Sequence, residues 1–530
     1  MVTPHLTPSQ SRVFHNGRVS SSSPQTAAHL AGPIAGLANM PPDQWALAWP
    51  GGGRTAASLR HEIGVLAARA AALAPEDDRP LAIVSASRPR MAIGVLAALA
   101  LGRPALPLDP TRTDLATLLA ACPPAGALAD ADVNLPQALP SAGLAVVGGI
   151  ETPAAWPQAN KPLLRANAPA LLAPTSGTGG QARIAMLTAA ALDAHVAASS
   201  RRLPEFTAVD RWLVCLPMTS IGALAAMWRV YSRGGSLAVL EHGFDARAVR
   251  VLMAEGASHV SLVPAMLDAV AAVADVAPPR GLRCLLSGGG PLSTVQAVRI
   301  RGLGWPLWQG WGMTESASHV AAGPVDEHWT PGVVGHPLPG VTVAQSGADA
   351  RLRIGGPMLM SGYAHPGLVP GTGLDDHGRV VTGDTGEWLP DGQLRILGRA
   401  DDVIVTGGVN VHPEGIEARF AQCPEAGEVA ITGRPDARWG HVLVALYTGP
   451  AAPEQLAAWA RAALPGSWRP REFTRVPALP RNAMGKLQRA ALTALQMTHN
   501  GNTTATPADP PAAVAADAAN SRGAPNHEDP

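Results

Sequence analysis

The chain has 530 residues, 47% hydrophobic and 15% charged, which is enough apolar mass to bury more than one core and to divide into more than one domain. Its 40 basic residues balance 40 acidic ones, so no global field recruits nucleic acid or an anionic membrane. Cys122, Cys215, Cys284 and Cys423 are scattered without close pairs, which excludes a disulfide framework and zinc-site spacing, and no apolar run is long and uninterrupted enough to span a bilayer. The head carries no signal-peptide pattern, so the cytoplasm is the expected compartment.

Residues 1–40 are rich in Ser, Pro, Thr and Gln, with one apolar patch at 27–35, and are expected to form a disordered head. Apolar residues then recur at helical spacing over 56–73 and 90–101, with a short buried strand at 81–84 between them. Residues 104–110 read as a Pro-punctuated loop, 114–121 as a helix and 144–147 as a strand. Strands alternating with helices predict a parallel sheet in an α/β domain.

The run at 174–183, PTSGTGGQAR, lies between the apolar residues 170–173 and a helix-like stretch at 187–200. A strand entering a Gly- and hydroxyl-rich turn suits phosphate binding, because small residues let backbone N–H groups converge on an anion while Thr and Ser hydroxyls add donors. A flexible loop has the same composition, and the Gly-x4-Gly-Lys-Ser/Thr spacing is absent. Beyond it, 213–218 is a strand ending near Pro217, followed by a helix whose face includes Ile221, Leu224, Ala225 and Trp228. A strand at 260–263 precedes a helix at 265–273, and a strand at 282–286 ends in Ser287-Gly288-Gly289-Gly290-Pro291. Glycines at the carboxyl end of a buried strand let a flat ligand lie against backbone, although an ordinary strand-to-helix turn reads the same way.

After a strand at 306–308 comes Trp311-Gly312-Met313-Thr314-Glu315-Ser316. An aromatic ring beside a Thr-Glu pair can stack a base, donate to a phosphate and ligate a divalent cation, and it can equally be packing. Three further segments follow, VTGDTGE at 381–387, GRADDVI at 398–404 and LPRNAMGKLQR at 479–489. An Asp in a turn accepts both hydroxyls of a ribose, and a Lys on a Gly-flanked loop carries positive charge to a phosphate, while singly each is an ordinary surface residue. From about 498 the chain is Ala/Pro/Asn/Asp-rich without periodicity and is expected to be a disordered tail.

Together and in this order, these segments resemble the adenylate-forming superfamily of acyl- and aryl-CoA synthetases, carrier-protein ligases, peptide-synthetase adenylation domains and luciferases. Within it, 216–241 and 258–267 look closest to o-succinylbenzoate:CoA ligases and related aryl-acid ligases. The resemblance implies a large multi-sheet α/β amino-terminal domain at about 41–400 and a small α+β carboxyl-terminal domain at about 401–497, hinged at Asp401. It implies that Thr175, Ser176, Gly177 and Thr178 hold the phosphates of ATP, with Arg183 carrying the loop's remaining charge. Gly288, Gly289, Gly290 and Trp311 would line the adenine, Thr314 would contact the α-phosphate, Glu315 would ligate Mg2+, and Asp384 and Arg399 would hold the ribose. Lys486 would bridge the acid carboxylate and α-phosphate, and Gly407 and Gly408 would flank the thiol path for CoA or a carrier protein's phosphopantetheine.

The expected activity is therefore ATP-dependent ligation of a carboxylic acid to a thiol through an acyl-AMP. An adenylation-only protein or a degenerate nucleotide-binding member is the alternative. Three departures bear on this. Gln181 and Arg183 stand where the family loop carries lysines, Thr219-Ser220 replaces an aromatic-His pair, and Trp311 replaces Tyr. The implied acid pocket, including Thr219, Ser220 and Gly222, is small, mostly apolar and free of carboxylates, which favours aryl or medium apolar acids over amino acids.

Overall fold

The computed structural model describes residues 32–74, 78–145, 164–175, 183–273, 278–345, 350–364, 369–481, 487–499 and 504–505. Fully buried apolar tetrapeptides such as Leu81–Val84, Ala105–Leu108 and Gly126–Ala129 can satisfy their backbone groups only by pairing with strands. They form the parallel centre of a seven-stranded sheet ordered Gly362–Ala364, Ile184–Thr188, Pro169–Pro174, Ala105–Leu108, Leu81–Val84, Gly126–Ala129, Ser141–Gly143. A nine-stranded sheet runs His336–Pro337, Ser318–Pro324, Leu307–Met313, Cys284–Ser287, His259–Leu262, Arg211–Val214, Ser236–Val239, Trp45–Trp49, Gly52–Thr55. Helix Ala56–Leu73 touches strands of both sheets, and one continuous apolar core joins them.

A four-stranded antiparallel sheet, Thr342–Gln345, Arg351–Gly355, Val380–Trp388 and Leu394–Arg399, completes the large part of the molecule. Past it lies a six-stranded mixed sheet centred on Gly440–Tyr447, with its own core of Val411, Ile416, Phe420, Ile431, Leu443 and Phe473. The architecture is a large multi-sheet α/β body followed by a small α+β unit.

Several local expectations change. The disordered head gives way by Gly32–Asn39, a helix that buries Pro33, Ile34 and Leu37. The Pro-punctuated loop at 104–110 contains the strand Ala105–Leu108, whose Pro107 is tolerated because pairing on the Pro169–Pro174 side is confined to Ala105. The helix expected from 187 starts at Ala189, after a second strand, Ile184–Thr188, that folds back antiparallel on Pro169–Pro174. Thr188 ends that strand and caps the helix, its hydroxyl accepting from the Ala191 N–H at 3.1 Å. Of the strand expected at 144–147, residues 146–147 lie outside the described residues, and the described strand at this point is Ser141–Gly143. Within the expected tail, Thr504–Ala505 pairs with Glu472–Arg475.

The small unit is tied to the connection that precedes it by one guanidinium. Arg489 meets Asp402 at 3.1 Å, Glu414 at 3.2 Å and Glu417 at 2.8 Å, and also donates to the Ile431 carbonyl at 3.3 Å. Three carboxylates on one cation leave excess negative charge. Burial first, and then the neighbouring Glu417 and Asp402, push the Glu414 carboxyl up to about 7 against the pull of Arg489. His412 beside it is held neutral by burial.

A raised folded-state pKa favours the protonated form in the native protein. This contribution is complete below the ordinary value of 4.5 and is lost as pH rises through about 7. The melting temperature should therefore fall by a few degrees across that window in the wild type and stay flat in Glu414→Gln, as followed by calorimetry at several pH values.

Candidate functional site

Strand Leu307–Met313 turns back on Ser318–Pro324 through a single 3-10 turn, Thr314–Ser316. The ladder shifts register between Trp311 and Gly312, and a Cβ on Gly312 would overlap the Ser318 backbone, so only glycine fits there. Ala317 at φ 54° and Ser318 at φ 113° are non-glycine residues in sparsely populated backbone regions. The Ser316 hydroxyl holds this conformation, accepting from the Met313 N–H at 3.2 Å and lying 2.8 Å from the Ser318 carbonyl. Such strain persists where the surroundings over-determine it.

The turn delivers Glu315, 9% exposed, to the junction of the two large sheets. Its carbonyl accepts from the Met360 N–H at 2.8 Å, and Oε1 accepts from the Tyr363 hydroxyl at 2.5 Å. Burial and the Glu315 charge hold that phenol far above the ordinary tyrosine range, so it remains a donor. The Arg183 guanidinium lies 4.2 Å from the Tyr363 ring centroid.

Asp384 and Arg399 sit directly opposite one another on the antiparallel strands Val380–Trp388 and Leu394–Arg399. Their charged groups approach to 3.8 Å, and the Trp311 indole Nε1 donates to Asp384 Oδ2 at 2.8 Å. Trp311 is 8% exposed and packs among Val320, Leu352, Ile354 and Leu394, so its ring is largely core rather than an open stacking face. Asp401 lies 3.4 Å from Arg399 and 2.5 Å from Arg351, so the connection to the small unit is charge-paired on the large side.

The Gly288–Gly290 run follows strand Cys284–Ser287, with Gly289 at φ 77°. Beside it Gln309 Nε2 donates to the Gly290 carbonyl at 3.3 Å. Among the described residues, Ser287 Oγ, Gln309 Oε1 and Thr175 Oγ1 are buried without a hydrogen-bond partner. Buried polar atoms are normally satisfied, and Ser287 and Gln309 are register partners on neighbouring strands of the nine-stranded sheet, so two of these orphans lie together and suit a polar ligand, while Thr175 follows strand Pro169–Pro174 of the other sheet.

The acid-pocket expectations divide. Thr219 lines a cavity of about 210 Å³ with Ser85, Arg88, Met91, Asp109, His242 and Phe244, so this cavity carries a carboxylate where the sequence led us to expect none. Ser220 instead caps helix Ile221–Ser232, accepting from the Ala223 N–H at 3.3 Å and donating to the Pro217 carbonyl at 2.7 Å. Gly222 faces Leu216, with a Cβ there falling 2.8 Å from a Leu216 methyl. The cavity does not include Trp311, Asp384 or Arg399 in its lining. Gly407 and Gly408 form the tip of the hairpin Ile404–Thr406/Val409–Val411, with Val405 and Val409 exposed on either side.

Ser176, Gly177, Thr178 and Lys486 lie outside the described residues. Thr175 and Arg183 close the first loop through a 2.7 Å backbone hydrogen bond, and Arg481 pairs with Leu487 across the second. Sequence reasoning missed Tyr363, Gln309 and Arg351. Each lies outside the motifs that were weighed and acquires its contact only through sheet pairing.

Comparison with known proteins bears on this arrangement. Residues 36–364 match the AMP-binding enzyme family and 415–486 match the AMP-binding enzyme C-terminal domain. A 2-succinylbenzoate--CoA ligase of Lactococcus lactis subsp. lactis is 32% identical over 329 residues, spanning 61% of this chain and 70% of the relative. The enzyme of the same name from Bacillus licheniformis is 34% identical over 334 residues, spanning 60% and 68%. The fold matches o-succinylbenzoate CoA synthetase of Bacillus subtilis, solved with the acyl-adenylate OSB-AMP, at a TM-score of 0.77 and 24% identity over 87% of this chain and 98% of that one. ATP-bound MatB of Rhodopseudomonas palustris matches at 0.78 and 23% identity over 89% and 99%. With the family match running over more than half of its length, the chain belongs to the AMP-binding enzyme family and is an acid–thiol ligase on the adenylate-forming fold.

Proposed function

We propose that this ligase activates an aryl or medium apolar carboxylic acid with ATP as the acyl-AMP and passes the acyl group to the thiol of CoA, working in the cytoplasm. The observation that carries the reading is the Trp311–Asp384–Arg399 cluster standing directly ahead of the turn that presents Thr314 and Glu315. Its curated relatives are named for ligating 2-succinylbenzoate, an aryl acid, to CoA. No helix among the described residues is long and apolar enough to cross a membrane.

The residues present fit the nucleotide and its metal. No group of three or more His, Cys, Asp or Glu among the described residues could hold a metal ion. A single carboxylate such as Glu315 suits Mg2+, which commonly takes one or two carboxylates and completes its shell with phosphates and water. When bound, Mg2+ supplies charge neutralisation at the phosphates. Asp384 keeps Oδ1 as acceptor for a ribose hydroxyl while the indole engages Oδ2. The buried hydroxyls of Thr175 and Ser287, one beside each large sheet, have no hydrogen-bond partner among the described residues and are free to meet a polar ligand.

Attack of the acid carboxylate on the α-phosphorus brings two anions together, so the protein must position them and offset charge. Thr314 donates to the α-phosphate, and Lys486 bridges it and the attacking carboxylate as the P–O bond to pyrophosphate breaks. The small domain then turns about Asp401, exchanging the Lys486 loop for the Gly407–Gly408 hairpin. The thiol sulfur attacks the acyl carbon, its proton leaves to solvent, and AMP departs.

Two outcomes test the assignment. Lys486→Ala should abolish pyrophosphate release yet spare thioester formation from supplied acyl-AMP, and equal loss in both half-reactions would remove the role. Asp384→Ala should weaken ATP use by on the order of 1.5–3 kcal/mol, read as kcat/KM for ATP.

The acid class is tested by a pyrophosphate-release screen over aryl, alkyl and amino acids. Met91, Phe244 and Met266 give the cavity an apolar wall, and its carboxylate Asp109 already accepts from the Thr111 N–H and hydroxyl, so aryl acids should exceed α-amino acids by at least about a hundredfold in kcat/KM. An amino acid outperforming every aryl acid would overturn the pocket reading.

A further inference from the structure

Arg183 closes the loop that opens at Thr175, and its guanidinium stacks 4.2 Å from the centroid of the Tyr363 ring. The stacking follows from register. Tyr363 pairs with Ala185 across the strands Gly362–Ala364 and Ile184–Thr188, and residues two apart on an extended segment share a face, so Arg183 reaches that ring. Gly373, at φ 86°, leaves no Cβ where the phenol ring packs. Tyr363 is 5% exposed, and its hydroxyl is 2.5 Å from Glu315 Oε1. Among the described residues no group donates to Glu315 Oε2.

We propose that Tyr363 is the positioning residue for the Glu315 carboxylate, and that Arg183 acts by clamping the Tyr363 ring rather than by touching phosphate. The inference rests on the ligase reading above and deepens it. A carboxylate with one oxygen engaged by a fixed donor presents the other in a single direction, which is how partners behind a metal ligand set its aim. A phenol can aim that oxygen only while its ring is held, and a guanidinium on the ring face supplies that hold. The loop's remaining cation is therefore committed to the metal side of the site. Its forked, planar group suits stacking better than the ammonium of a lysine would.

The test is Mn2+ binding to the full-length protein by electron paramagnetic resonance, with a non-hydrolysable ATP analogue and melting temperature as a folding control. Tyr363→Phe keeps the ring and removes the donor, and should weaken Mn2+ binding about tenfold at an unchanged melting temperature. Arg183→Gln should weaken it about threefold, and Arg183→Lys should recover only part of that loss, because an ammonium stacks less well than a guanidinium. In a Tyr363→Leu background Arg183→Gln should add nothing, because the ring through which it acts is gone. Wild-type Mn2+ affinity in Tyr363→Phe would overturn the positioning role. An Arg183→Gln loss that persists in Tyr363→Leu would place the cation on phosphate and overturn the clamp. If the wild type shows no nucleotide-dependent Mn2+ binding, the ligase reading falls and takes this inference with it. Wild-type binding with unaltered variants removes the inference alone.

Discussion

A carboxylate removed from water must be compensated, and the burial of Glu315 at the meeting of the nine- and seven-stranded sheets sets conditions that much of the large domain meets. Its donor comes from Tyr363, on an edge strand of the other sheet. Its backbone is fixed by Met360, and the turn that carries it is kept in a costly conformation at Ala317 and Ser318 by the Ser316 hydroxyl. Each of these constraints is local, but they converge only if both sheets are correctly formed and correctly placed. Integrity of the site and integrity of the inter-sheet core are thus one condition.

The carboxyl-terminal unit is governed by charge rather than by a shared apolar core. Arg489 joins the connection at Asp402 to the helix carrying Glu414 and Glu417, and it lies just past the segment that bears Lys486. On the large side Asp401 is matched by Arg351 and Arg399. Ion pairs at partly exposed positions contribute little individually and can be exchanged at small cost, whereas an apolar seam would resist separation. A connection built from such pairs can be rearranged without separating an apolar seam.

The sequence made legible those features that depend on near neighbours. The helix at 56–73 and the strand at 81–84 carry their own periodicity and agree with Ala56–Leu73 and Leu81–Val84 to the residue. The motif order named the family because each motif is a contiguous run. What stayed hidden depends on pairing partners distant in the chain. Pro104 and Pro110 bracket what looks like a loop, yet Ala105–Leu108 becomes a strand because neighbouring strands satisfy it. The end of the back-folded strand Ile184–Thr188 looks like the start of the following helix because its apolar residues run straight into it, and Thr188 serves both elements. Ser220, expected in the acid pocket, caps a helix, since a hydroxyl at a helix start meets the nearest N–H. Tyr363 and Gln309 sit outside every motif that was weighed, and no local signal could have found them.

The replacement of Tyr by Trp at 311 shows how one substitution can move a function between side chains. A tyrosine there would offer a ring face and a hydroxyl at its far end. The indole places an N–H on the side of the ring, and the geometry spends it on Asp384 while the rest of the ring fills the core around Leu352 and Leu394. The consequence is a carboxylate oriented before any nucleotide arrives, one oxygen engaged by the indole and the other beside Arg399. Pre-orientation lowers the ordering cost of binding, and it offsets stacking area that a largely buried ring cannot offer. In the same way, the Glu315 turn relies on a neighbour from another sheet where a single motif residue would ordinarily be credited.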